Sequence, residues 1–235
     1  MKTQAILITA ASAALLALLA GCPGASEATD EDLVPKVHQL VDALNAGDFD
    51  AALALFSDDA HWEFPDKQDF TVERRSFARA WSLDRALGVR LALEDCTQQD
   101  RTVTCTLIEN NDWLALHGLG EWRARNTQFV FDEQGRIRRM IFGERDEELF
   151  KDLRIVWIAF ESWATKEHPR EFEKLMVPGE RRLRWTAEAG ELLMKLGREW
   201  VEAGRPGMDA AREKVEKYLD ERRRREKAAG DDETS

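Results

Sequence analysis

The stretch LVDALNAGDFDAALALFSDDAHWEF, residues 40–64, decides the fold of this chain. With Leu33 and Val37 just upstream, Leu40, Val41 and Leu44 recur at helical spacing and make one apolar stripe. Asp32 is a fitting N-cap, Pro35 is tolerated in the first turn, and Gly47 supplies the stop. Asp48 can then cap a second, short helix carrying Phe49, Leu53 and Phe56. AHWEF alternates like a strand, which points Trp62 and Phe64 inward and His61 and Glu63 outward.

Working downstream, a helical stretch is expected around Thr71 to Trp81. Four alternating or β-branched segments follow it, at 89–96, 102–110, 121–131 and 136–142, the last two joined by the turn DEQG. Helices, a strand, a helix and a meander predict an α+β fold: a cone-shaped, curved antiparallel sheet wrapped on N-terminal helices. Residues 31–144 hold this domain. Residues 145–229 read as an all-helical extension, with a stripe of Leu149, Leu153, Val156, Phe160 and Trp163. In it Pro169 starts a short helix, Thr186 caps another, GRPG breaks that one, and a charged final helix follows. Residues 230–235 are expected to be a disordered tail.

Upstream, Lys2 and an apolar run from Ala5 to Ala20, interrupted only by Thr9 and Ser12, form the core of a signal peptide. Leu19-Ala20-Gly21-Cys22 resembles the bacterial lipobox. The resemblance implies cleavage after residue 21, a lipid on Cys22 and a polar tether over residues 22–30. It also implies a lipid-anchored, extracytoplasmic place in the bacterial cell envelope, periplasmic where the cell has an outer membrane. That compartment is oxidising, and Cys96 and Cys105 are the two thiols left to pair. If Asp100 and Arg101 form a two-residue hairpin loop, the two cysteines face each other at a non-hydrogen-bonded position, where Cα atoms approach to about 4.5 Å.

The net charge of −11 lies mostly in the first part of the chain: residues 22–144 carry 23 acidic and 13 basic side chains. Nucleic acid is therefore not an expected partner. The run Arg222 to Arg225 sits among acidic residues and reads as a solvated helix face. Glycine-rich phosphate loops, nucleophile elbows and metal-ligand spacings do not occur, so neither a cofactor nor a metal is expected.

The opening stretch, together with FVFDEQGRIRRMIF (residues 129–142), resembles the nuclear-transport-factor-2-like superfamily, and its SnoaL-like branch in particular. The resemblance spans about residues 31–144 and implies a pocket at the open end of the cone. It assigns no reaction, because the superfamily includes isomerases, cyclases, dehydratases, hydrolases and binding domains. Ketosteroid isomerases of this fold use an oxyanion-hole tyrosine, whereas the single tyrosine here is Tyr218, outside the cone. The catalytic set stays unassigned.

Five residues are expected at the pocket: Trp62, Trp81, Trp113, His117 and Arg125. Trp113 and His117 lie on NDWLALHG, an insert between the third and fourth cone segments that Asp112 can cap and Gly118 can end. Arg125 faces inward if one uniform register runs from the DEQG turn, and the same kind of counting leaves Glu109 outside. The expected function is that of a lipid-anchored binding or accessory protein with a pocket for an apolar or amphipathic small molecule. The alternatives are an enzyme of isomerase, cyclase or hydrolase type, and an envelope scaffold using the C-terminal helices. A homodimer or an envelope protein partner is compatible with the sequence.

Overall fold

The computed structural model describes residues 31–64, 71–180 and 182–232. The signal peptide, the tether and Cys22 lie outside the described residues, as does the end of the tail. Glu31 onward forms one compact unit.

Helix α1 (Val34–Ala46) buries Val37, Leu40 and Val41 and ends on Gly47 in the left-handed conformation. Its N-cap is Leu33; Asp32 instead accepts the Val34 N–H through its carboxylate. Asp48 caps α2 (Phe49–Ala54) by accepting from the Ala51 N–H at 3.0 Å. Phe56 opens β1 (Phe56–Glu63) rather than closing α2. The stretch expected to be helical from Thr71 begins as β2 (Thr71–Glu73), which pairs antiparallel with β1, and turns helical at α3 (Phe77–Ala86). β-branched Thr71 and Val72 gain ladder bonds there that an isolated helical turn would not supply.

The hairpin β3 (Arg90–Gln99) and β4 (Thr102–Asn110) is followed by α4 (Asp112–Leu116), β5 (Trp122–Phe131), β6 (Ile137–Ile141) and β7 (Glu144–Arg145). The sheet order is β2-β1-β6-β5-β4-β3, with β7 on β5 and β1 parallel to β6. The α+β class and the curved sheet are those read from the sequence; the expected antiparallel pairing is corrected at β1, which runs parallel to β6 because the chain returns to it through the helices and the meander.

Two bulges side by side bend this sheet. On β3, Asp95 and Cys96 stand against Cys105 alone; on β5, Arg125 and Asn126 stand against Thr106 alone. Asp95 (φ 52°) and Asn126 (φ 60°) are left-handed, a conformation short polar side chains tolerate better than others. An extra residue in one strand bends it and increases its twist. The Cys96–Cys105 disulfide joins β3 to β4 across the first bulge, with Cα atoms 4.2 Å apart, as the hairpin spacing predicts. Gly143 serves the second bulge: a Cβ there would fall on the Arg125 carbonyl, so only glycine lets the chain pass.

The extension consists of α5 (Glu147–Glu167), α6 (Pro169–Leu175), α7 (Ala187–Glu202) and α8 (Met208–Asp232). Thr186 caps α7 as expected, and α8 continues into the segment read as a tail. Two apolar cores result. One fills the cone around Phe56, Phe77, Phe129 and Ile137. The other lies among the C-terminal helices around Phe160, Leu196 and Trp200.

Candidate functional site

A cavity of about 360 Å³ opens inside the cone between α1, α3 and the sheet. Ligand pockets begin at roughly this size. Its walls are aromatic and aliphatic: Phe49, Trp62, Trp81, Trp122 and Phe142 supply rings, and Leu40, Leu44 and Leu107 fill between them. Trp62 stacks on Phe77 at 4.3 Å and Trp122 lies over Phe142 at 6.2 Å. The indole N–H groups of both Trp62 and Trp122 are buried without a hydrogen-bond partner.

Two carboxylates enter this apolar space. Asp84 sits three residues beyond Trp81 and four beyond Ala80, so helical spacing carries it onto the inward face of α3. Burial pushes its carboxyl up to about 8, and the negative charge of Glu109 adds to the rise. Glu109 is raised too, by burial, although Asn111 donates to it at 2.7 Å. Among the described residues, neither carboxylate forms an ion pair. The same cavity thus disfavours the ionised form of both carboxyl groups.

Arg85 and Arg90 stand exposed at the rim and are occupied with backbone carbonyls, Arg85 with that of Gly47 and Arg90 with those of Gly88 and Val89. Asn45 ties the end of α1 to β3, donating to the Leu91 carbonyl and accepting from the Leu91 N–H, both at 2.8 Å. That pair fixes the width of the opening between helix and edge strand.

Of the five residues expected at the pocket, Trp62 and Trp81 line the cavity, while Trp113, His117 and Arg125 do not. The bulges account for Arg125. Ala124 and Thr127 both face the core, so the one extra residue of the bulge between them turns Arg125 outward, where its backbone pairs with Glu144. The other bulge accounts for Glu109. Beyond Asp95 the register slips by one, so Glu109 faces Leu91 and Leu107 faces Leu93, bringing Glu109 onto the cavity side.

The insert goes elsewhere for a packing reason. Asn111, not Asp112, caps α4 by accepting from the Leu114 N–H at 2.7 Å. The apolar face of α4 then meets the C-terminal helices, which offer more apolar surface than the cone mouth does. Trp113 packs edge-on to Phe160 at 5.1 Å, and His117 wedges between Trp113 at 4.2 Å and Trp200 at 5.3 Å. Neither ring nitrogen of His117 has a partner; burial first, and Arg205 second, push its pKa down to about 4.

Asp84, Glu109 and Trp122 are site residues that strand counting does not reach. Asp84 is signalled by its spacing from Trp81 alone.

Residues 37–140, within the cone, match the model of the SnoaL-like domain; the match does not extend into the helical extension. Solved structures similar to the chain include an NTF2-like protein of unknown function from Cytophaga hutchinsonii. It is 14% identical over 52% of this chain and 97% of that one, with a TM-score of 0.40. The epoxide hydrolase/cyclase-like enzyme SalBIII, which has a role in pyran ring formation in the polyether salinomycin, is 16% identical over 49% of this chain and 92% of that one, with a TM-score of 0.41. A SnoaL-like protein of unknown function from Burkholderia thailandensis is 13% identical over 51% of this chain and 98% of that one, with a TM-score of 0.39.

Proposed function

We propose that the protein is a lipid-anchored small-molecule-binding protein of the bacterial cell envelope, with the cavity of its SnoaL-like domain as the binding site. The observation that carries this reading is the aromatic-walled cavity of about 360 Å³ with two carboxylates inside it. Such a site recognises a largely apolar, ring-containing molecule, with rings and aliphatic side chains giving contact area and the carboxyl groups giving orientation. The anchor rests on the lipobox at residues 19–22. No helix among the described residues is long and apolar enough to cross a membrane, which is compatible with anchoring by lipid.

Asp84 and Glu109 also support a second reading, an enzyme of isomerase or cyclase type. Two carboxyl groups raised by burial in one cavity are suited to giving and taking protons, which acid/base chemistry on a small organic molecule needs.

The test is a thermal-shift screen of amphipathic compounds on residues 22–235 carrying Cys22→Ser, repeated with Trp122→Ala added. Binding in the cavity predicts hits whose affinity drops about tenfold or more without the indole. Hits that stabilise both proteins equally would place the binding elsewhere and refute the reading. Mass spectrometry on each hit separates the two classes: product formation that Asp84→Asn abolishes replaces the binding protein with the enzyme. Metabolic labelling with a fatty acid that persists in full-length Cys22→Ser would refute the anchor.

A further inference from the structure

We propose that the cavity takes an organic cation, with Asp84 and Glu109 together receiving its ammonium group and the surrounding aromatic rings covering its apolar part. The inference rests on the small-molecule-binding reading and names the charge of the ligand.

Geometry comes first. Both carboxylates line one cavity, on facing elements α3 and β4, and no described cation pairs with either. Arg85, on the same helix, and Arg90, on β3, are exposed at the rim, and each donates through one guanidinium nitrogen to backbone carbonyls rather than to Asp84 or Glu109. Asp112, packed beside Gly88, adds a further negative charge. Two carboxyl groups in a largely aromatic cavity, neither of them ion-paired among the described residues, leave a demand for positive charge. Burial raises both carboxyls, that of Asp84 to about 8 with the negative charge of Glu109 adding to the rise.

An ammonium group answers that demand, and the rings around it contribute as well. Trp62, Trp81 and Trp122 line the cavity, and indole faces attract cations more strongly than other aromatic side chains do. The flat ring walls suit an amine carried on a ring-containing, amphipathic body. An acidic ligand would meet two carboxylates instead, which runs against an anion-binding role for this site.

Binding of the ammonium favours ionised carboxylates, so the proton that Asp84 holds below its raised value leaves to solvent. Affinity for a permanently charged ligand must therefore rise with pH up to about 8, while that for a neutral ligand does not.

The experiment compares three probes with one ring system on residues 22–235 carrying Cys22→Ser: naphthyloxyethyl-trimethylammonium, naphthyloxyethanol and naphthyloxyacetate. Isothermal titration gives affinity and proton release at pH 6 and pH 9. The expected result is that the ammonium binds about tenfold or more tighter than the alcohol at the higher pH. It should also lose about tenfold or more on going to the lower pH. Asp84→Asn, and separately Glu109→Gln should the first variant fold poorly, should bring the ammonium-to-alcohol affinity ratio close to one. Alcohol or acetate binding as tightly as the ammonium at pH 9 overturns the cation while leaving the binding site standing. Failure of all three to bind at millimolar concentration overturns both.

Discussion

Replacing His117 with phenylalanine should flatten the acid limb of the protein's stability curve. The imidazole is 5% exposed, sits edge-on to Trp113 and Trp200, and has no partner for either nitrogen. Its pKa falls from 6.5 to about 4, through burial first and the Arg205 guanidinium second. Because the folded value lies below the unfolded one, the unfolded chain binds the extra proton between those two pH values. Stability is thus complete above pH 6.5 and is lost as the pH falls toward 4. At 1.36 kcal/mol per pH unit the full span corresponds to roughly 3 kcal/mol. Arg205 beside it is half-exposed, so solvent screening reduces this to about 1–2 kcal/mol.

Asp84 works in the opposite sense over an overlapping range. Its folded pKa is raised from 3.8 to about 8, so its contribution falls as the pH rises through that interval. Only the difference between wild type and variant isolates His117. The assay is urea unfolding at half-unit pH steps from 4 to 7.5, followed by tryptophan fluorescence, with the phenylalanine filling a similar volume. His117→Phe should gain on the wild type progressively below pH 6.5. Parallel curves for the two proteins would show that His117 finds a proton acceptor on folding, and the assignment of a neutral, unpartnered imidazole would fall.

Three other outcomes follow from the packing. Oxidised protein should show no free thiol at Cys96 or Cys105 under denaturing alkylation, and the Cys96→Ser/Cys105→Ser double variant should lose about 2–3 kcal/mol in urea unfolding; labelling of either thiol before reduction would contradict the staple. Gly197→Ala puts a methyl 2.7 Å from the Trp113 ring, so a loss of about 1–3 kcal/mol is expected by thermal unfolding, and an unchanged midpoint would mean that α7 does not press on α4. A chain ending at residue 144 uncovers Trp113 and the outer side of α3, and should show broad, non-cooperative unfolding by calorimetry; a sharp transition would make the extension dispensable.

The helices were legible because their signals are local. Gly47, Asp48, Pro169 and Thr186 start or stop elements where the chain places them, and periodic stripes of Leu, Val and Phe identify the buried faces. The cysteine pairing was legible because a hairpin with a two-residue loop fixes which residues face each other near its turn. Arg125 and Glu109 were misplaced for one shared reason. Strand faces are counted by parity, and a single extra residue reverses every position beyond it. Asp95 and Asn126 are ordinary strand letters until their left-handed conformations are seen. Trp113 and His117 were misplaced for a different reason: their destination was settled by the extension, more than 40 residues further along the chain.

That destination also bears on how the cavity is built. Helix α3 has two working sides. Phe77, Ala80 and Trp81 face the cone, and Asp84 continues that side into the cavity. The other side lies on α7, where Gly190 packs so closely on Ala86 and Leu83 that a Cβ would approach the Ala86 methyl to 2.6 Å. A helix held on both sides cannot rotate to bring Asp84 out of its apolar surroundings. Ionising a carboxyl there is unfavourable, and an unrestrained helix would relieve that cost by turning the group toward water. The extension therefore does more than add a second core. By clamping α3 from behind, it holds Asp84 opposite Glu109, and the polar chemistry of the cavity depends on the helices that lie outside it.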